Sequence, residues 1–168
     1  GSFGTWYMTL EMFEFFKVLL NKLPDAIFLC ITPDSPHMLE KIARKKNIPL
    51  SSIRIVKAHR EEVPLYASLS DWSLFFIKPL YSKKASSPTK MGELLGLGIP
   101  LICNAGVGDV EEIMKDCSSG FVVKEYTLQE YEQIVDAIIS RPTINHNQLY
   151  SVACTYYSLQ QGIHAYDL

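Results

Sequence analysis

Metal-ligand and disulfide spacings are missing from this sequence. Its four cysteines, Cys30, Cys103, Cys117 and Cys154, are scattered and form no C-x-x-C pair, so they spell neither a zinc cluster nor a disulfide framework. Cys30 and Cys103 lie inside apolar runs, where a thiol serves as a small buried hydrophobe. Reduced cysteines point to a reducing, cytosolic compartment. No run reaches the roughly 18 apolar residues of a membrane span, and nothing in the first residues reads as a signal peptide. An excess of charge is lacking too. With 16 Lys and Arg against 18 Asp and Glu the net charge is -2, without the dense basic track that a nucleic-acid backbone would require. The short tract Arg44-Lys45-Lys46 falls at an expected helix end, where cations suit the helix dipole. His37, His146 and His164 have no companion at ligand spacing. No Ser-His-Asp or Cys-His set assembles, and no acidic pair forms a D-x-D metal grip. Repeats and low-complexity stretches are absent.

What is present is an ordinary globular mixture, 48% hydrophobic and 20% charged over 168 residues, the size of one domain. A chain this long buries roughly 70% of the surface its unfolded form exposes, so it holds a core without staples. Short apolar runs alternate with longer segments of helical spacing. Ala26 to Thr32, Ile53 to Ala58, Ser73 to Ile77, Pro100 to Cys103 and Phe121 to Lys124 are continuous and β-branched or aromatic, as buried parallel strands are. Met8, Met12, Phe15, Phe16, Leu19, Leu20 and Leu23 line one helical face, and Met38, Leu39, Ile42 and Ala43 form a shorter one. Ser35-Pro36 and Ser87-Pro88 read as N-caps followed by proline at the first helical position. Asp109 with Glu112, Thr127 with Glu130, and Ser158 with Gln161 have capping-box spacing, and Gly98 marks a helix stop. This alternation predicts an α/β fold, a doubly wound, mainly parallel sheet with helices on both faces. Residues 1–142 are expected to form the α/β domain. Pro142 to Asn147 reads as a linker, and residues 143–168 are expected to form linker and closing helix, the helix carrying Tyr150, Tyr156, Tyr157 and Tyr166.

In such a sheet ligands bind beyond the carboxyl ends of the strands, so the loops there carry the candidates. Gly1-Ser2-Phe3-Gly4-Thr5 precedes the first long helix, and its glycines and the helix N–H groups suit a phosphate; a plain turn is the alternative. Its turn-like character at the chain start leads us to expect either a cloning remnant or a segment of a longer protein. Ser86-Ser87-Pro88-Thr89-Lys90-Met91-Gly92-Glu93 sets hydroxyls and a lysine at a helix start, an anion site by dipole and N–H groups. Glu93 shares a face with Thr89 and Lys90. A carboxylate there accepts both hydroxyls of a ribose, or else pairs with Lys90 on the surface. Asn104-Ala105-Gly106-Val107-Gly108-Asp109 is explained by capping at Asp109. His59-Arg60-Glu61-Glu62 reads as a solvated loop.

Together these residues resemble the C-terminal domain of a GT-B glycosyltransferase, nearest to glycosyltransferase family four. The resemblance is carried by Gly1 to Tyr7 as a glycine turn and by Val63 to Asp71 as a helix ending in an aspartate. Ser87 to Glu93, followed by Gly98-Ile99-Pro100-Leu101-Ile102, is similar to the donor signature. Phe121-Val122-Val123, after Ser119-Gly120, resembles an edge strand and Tyr157 to Gly162 the closing helix. It implies the donor-binding half of a retaining glycosyltransferase that moves a sugar from a nucleotide-sugar to a polysaccharide, lipid or protein-glycan acceptor. Glu93 would hold the donor ribose. Gly4, Thr5, Ser87, Thr89 and Lys90 would face the diphosphate, Lys90 being the candidate for stabilising it as it leaves. Val56 to Ala58 would offer backbone groups to the base. No metal or further cofactor is implied, and no nucleic acid. The full-length protein would be cytoplasmic, at the inner face of the membrane, with an acceptor-binding N-terminal domain that this sequence lacks; the fragment alone would transfer nothing.

The sequence departs from the family in two places. Ala85, after Lys83 and Lys84, stands where a second glutamate is usual. Trp6-Tyr7-Met8-Thr9 replaces the usual Arg and Lys pair, leaving Lys83, Lys84 or Lys90 to supply charge. The strand that precedes the glycine turn in the family is also absent from this sequence. A nucleotide-sugar epimerase of the same fold is the second reading, and a non-enzymatic nucleotide-binding α/β module the third.

Overall fold

Each of the five apolar runs forms a strand. In the computed structural model, which describes residues 2–4, 6–83, 87–140, 143–160 and 163, these are β1 (Phe28–Ile31), β2 (Ile53–Val56), β3 (Ser73–Leu74), β4 (Leu101–Asn104) and β5 (Gly120–Val123). The helices are α1 (Thr9–Lys22), α2 (Pro36–Lys45), α3 (Val63–Ala67), α4 (Thr89–Gly96), α5 (Val110–Asp116), α6 (Leu128–Ser140) and α7 (His146–Tyr157). The pairings among these five strands are parallel, which requires the intervening helical crossovers. The result is an α/β, Rossmann-like architecture. The pairing forms two hydrogen-bonded sheets, β1-β2 and β3-β4-β5, where the sequence pattern suggests one.

The chain divides into two compact units. The first comprises residues 1–69, 75–78 and 125–141. Its β1 and β2 pair in register from Phe28 against Ile53 to Ile31 against Val56. The apolar face of α1 covers a core of Phe13, Phe16, Cys30, Leu39, Ala43, Ile48 and Ile53. Phe28 meets Phe13 edge-on and stacks on Phe16. On its other flank α1 packs on α6, where Phe15 sits edge-on to both Phe76 and Tyr131. These aromatic pairs each add about 0.5–1.5 kcal/mol beyond area burial. Lys22 reaches Asp136 at 2.5 Å, and Lys46 pairs with Glu14.

The second unit comprises residues 70–74, 79–124 and 142–168. Leu101, Ile102 and Cys103 of β4 are buried at its centre, between β3 and β5. Trp72 stacks on Phe121 at 5.5 Å. Met91 and Leu95 turn the buried face of α4 inward, and Leu149, Val152 and Ala153 do the same for α7.

Caps and boundaries account for most departures from the sequence pattern. Ser35 occupies the N-cap of α2 with Pro36 at the first position, although its hydroxyl makes no capping bond. Arg44 and Lys45 fill the last turn of α2. Thr127 caps α6 through Glu130 N at 3.2 Å, while the Glu130 carboxylate accepts from the N–H groups of Glu125 and Tyr126. Gly98 ends α4 at φ +71°. Its N–H donates to Leu95 O and that of Ile99 to Leu94 O, the two bonds of a Schellman motif. Gln161 lies outside the described residues.

Several element bounds change. The run Ser73 to Ile77 leaves the sheet after Leu74, and Ile77 pairs instead with Tyr7 in an antiparallel bridge. The segment Trp6 to Met8 is therefore extended, with Lys78 N donating to Trp6 O and Met8 N to Phe76 O, and α1 begins only at Thr9. The helix after residue 62 ends at Ala67, so Asp71 lies beyond it. The predicted start of α4 at Pro88 moves one residue on: Pro88 is the N-cap and Thr89 the first helical residue.

Candidate functional site

The first unit holds the glycine turn. Asp34, just past β1, fixes it: its carboxylate accepts from Phe3 N at 2.5 Å and from Ser2 Oγ at 2.9 Å. Thr32 Oγ1 in turn accepts from Asp34 N at 3.1 Å. The Phe3 N–H, then the hydroxyls of Ser2 and Thr32, hold the Asp34 carboxyl below its ordinary value against a smaller opposing effect of burial. Ser2 Oγ also accepts from Gly4 N at 3.3 Å, and Phe3 O accepts from Thr9 Oγ1 at 2.6 Å. Gly4 is exposed. Because Trp6 to Met8 are extended, the turn does not open directly onto the N–H groups of α1. Thr5 lies outside the described residues. Sequence reasoning missed Asp34; Thr32-Pro33-Asp34 signals a turn, but nothing in it names Ser2 as the partner.

Val56 ends β2 and its carbonyl accepts from Thr32 N at 2.9 Å. Ala58 follows in the loop, half-buried. In the next turn His59 N donates to Glu62 Oε2 at 2.8 Å, and His59 to Glu62 are exposed. A cavity of about 200 Å³ in this unit is lined by Pro36, Glu40, Leu50, Ile53 and Ile55, none of them a candidate site residue.

The second unit holds the hydroxyl-rich helix start. Ser87, Thr89 and Glu93 are exposed and Lys90 is half-buried, on the side of α4 away from buried Met91 and Leu95. The first N–H groups of a helix have no intrahelical acceptor and carry the positive end of its dipole; here Met91 N is already satisfied by Pro88 O at 2.8 Å. Among the described residues the Glu93 side chain has no hydrogen-bond or ion-pair partner, and no Lys90–Glu93 ion pair forms. Ser87 Oγ lies 3.1 Å from Tyr157 Oη. The Tyr157 phenol is pushed above its ordinary value by burial, against the lowering effect of the Ser87 hydroxyl. Lys84 and Ala85 lie outside the described residues.

The loop after β4 is not held by the expected box. Asp109 stands at the N-cap of α5 without a side-chain capping bond, and its Oδ1 is buried with no partner among the described residues. Glu111 closes the turn instead, accepting from Gly106 N at 3.2 Å. Gly108 N donates to Lys83 O at 3.0 Å. Cys30 and Cys103 are buried as expected, and burial pushes both thiols up to about 12. Among the described residues no group of His, Cys, Asp or Glu side chains gathers at metal-binding distance, and no helix is long and apolar enough to cross a membrane.

No family model matches the sequence, and no curated protein matches it. Solved structures do. WaaG, a glycosyltransferase involved in lipopolysaccharide biosynthesis, superposes with a TM-score of 0.66 at 18% identity over 91% of this chain and 41% of its own. AviGT4, a glycosyltransferase involved in avilamycin A biosynthesis, gives 0.56 at 12% identity over 89% of this chain and 43% of its own. A Listeria monocytogenes protein assigned as a UDP-N-acetylglucosamine 2-epimerase gives 0.54 at 12% identity over 86% of this chain and 34% of its own. At these identities the likeness is one of fold, and the chain spans less than half the length of each neighbour. The shared architecture is the Rossmann-like α/β fold of GT-B proteins.

Proposed function

We propose that this chain is the nucleotide-sugar-binding half of a glycosyltransferase of the GT-B class, of the family-four type. The observation that carries the reading is the exposed side of α4: Ser87 and Thr89 at the positive end of the helix, and the Glu93 carboxylate one turn on with no described partner. A diphosphate suits the first, and the paired hydroxyls of a ribose suit the second. Lys90 supplies positive charge beside the diphosphate, stabilising the charge that builds as it leaves. Sugar transfer would follow a retaining course without a metal, onto a polysaccharide, lipid or protein-glycan acceptor held by a further domain. A cytoplasmic location at the membrane's inner face fits an acceptor delivered there. Two of the structural neighbours are glycosyltransferases, which supports the class.

Titration of the chain with UDP, GDP and ADP by calorimetry, with Glu93→Ala alongside, tests the reading. One nucleoside diphosphate is expected to bind saturably, and the substitution to weaken it at least about tenfold, as for loss of a charged hydrogen-bond acceptor. Binding unaffected by Glu93→Ala would remove the ribose role.

An epimerase is the second reading, favoured by the third neighbour. It would draw on the same nucleotide site but needs acid and base groups at the sugar. The described residues of α4 offer only Glu93 as a carboxylate.

A further inference from the structure

The closing helix α7 runs antiparallel along α4 and grips it at both ends. At the far end of α4 the contact is His146, whose Nδ1 lies 2.8 Å from Gly98 O, and a Cβ on Gly98 would meet the His146 Cβ and O at 3.0 and 3.1 Å. At the near end, Tyr157 lays its ring on Gly92, where a Cβ would come within 2.5 Å of its Cγ. The Tyr157 hydroxyl reaches Ser87. The position of α7 is set independently by α5 and the turn after it: Tyr156 Oη donates to Asp116 Oδ2 at 2.6 Å, Gln148 Nε2 donates to Asp116 O, and Gln148 Oε1 accepts from Ser118 N at 2.8 Å. Burial of Leu149, Val152 and Ala153 holds the helix down.

We infer that Tyr157 is a positioning residue for the donor diphosphate, acting through Ser87. Both groups are hydroxyls, and each donates one proton and accepts others. Ser87 Oγ donates to Tyr157 Oη; as the Ser87 proton turns outward to a diphosphate oxygen, the Tyr157 hydroxyl rotates to donate to Ser87 Oγ in its place, and each bond of this chain polarises the next. Ser87 is otherwise an exposed side chain ahead of the helix, whose rotamer would have to be ordered on binding. A ring seated on a glycine fixes its hydroxyl with little freedom, since the seat leaves no room for the ring to shift inward. The assignment rests on the donor-site reading of α4. Tyr157 itself touches no ligand in this arrangement; it orients the side chain that does.

Tyr157→Phe keeps the ring on Gly92 and removes only the hydroxyl. Calorimetry with UDP, GDP and ADP, together with NMR titration of the matching nucleoside, separates the possible roles. Tyr157→Phe is expected to weaken the preferred nucleoside diphosphate about three- to tenfold, the worth of one neutral hydrogen bond, and to leave the nucleoside unchanged. The double variant with Ser87→Ala should bind no worse than Ser87→Ala alone, because both changes cut the same chain. Diphosphate binding unchanged in Tyr157→Phe but lost in Glu93→Ala overturns the positioning role and leaves the donor site standing. Equal losses for nucleoside and diphosphate overturn it in favour of a purely structural role. Absence of binding by the unsubstituted chain overturns both.

Discussion

The ring of Tyr157 occupies the space that any side chain at position 92 would need. A Cβ on Gly92 would lie 2.5 Å from Tyr157 Cγ and 2.7 Å from Cδ1, closer than carbon atoms approach. The glycine in the donor-like signature is thus a packing requirement of the second unit, whatever the helix binds.

Gly92→Ala should therefore force α4 and α7 apart, at a cost of about 1–3 kcal/mol typical of overpacking. Gly96 is the control on the same helix. A Cβ there meets nothing within 4 Å, so Gly96→Ala should be neutral or stabilising by about 0.5 kcal/mol from helix propensity. Chemical denaturation of the two variants reads the difference in sign directly.

Gly98→Ala should also destabilise. Its φ of +71° places it in the left-handed region, which costs a side-chain-bearing residue about 1–2 kcal/mol, and His146 crowds the site as well. The melting temperature should fall, and an asparagine at this position should be tolerated better than alanine.

The Asp34 clamp predicts a pH dependence with a definite sign. The Phe3 N–H and its neighbours lower the folded carboxyl below its unfolded value. Its contribution is present above the ordinary aspartate value near about 4 and is lost as pH falls through the lower folded value. Protection of the Phe3 amide from hydrogen exchange should drop on acidification within that window. In Asp34→Asn it should already be reduced and be flat with pH.

Thiol reactivity should follow burial. Cys30 and Cys103 are buried, with thiols pushed to about 12, and Cys117 is pushed to about 11 by burial and then by Asp116. Cys154 is exposed. Alkylation at neutral pH, read by mass spectrometry, should label Cys154 first and reach Cys30 and Cys103 only on unfolding.

The strands were legible because each is a short continuous apolar run, and the helices because their apolar spacing and caps agree. Helix α1, the N-cap position of Ser35, the Thr127–Glu130 bond and the Gly98 stop all follow from local sequence. What the sequence concealed depends on partners far along the chain. Tyr7 pairs with Ile77 and so holds Trp6 to Met8 out of the helix. Ser87 meets Tyr157 across 70 residues, and Ser2 meets Asp34 across 32. Asp109 has the spacing of a cap, yet Glu111 takes the turn. Of the donor signature, the shared face of Thr89 and Glu93 follows from the helical period, while the seat that Gly92 gives Tyr157 does not.

In the proposed function, the exposed side of α4 binds a nucleoside diphosphate. Backbone amide shifts recorded during titration with UDP, GDP and ADP test it most directly, because they locate binding as well as detect it. Saturable shifts from one of the three are expected, concentrated at Ser87 and at Thr89 to Glu93, and lost in Glu93→Ala. Shifts confined to the cavity lined by Pro36, Glu40 and Leu50, or no shift with any of the three, would contradict it.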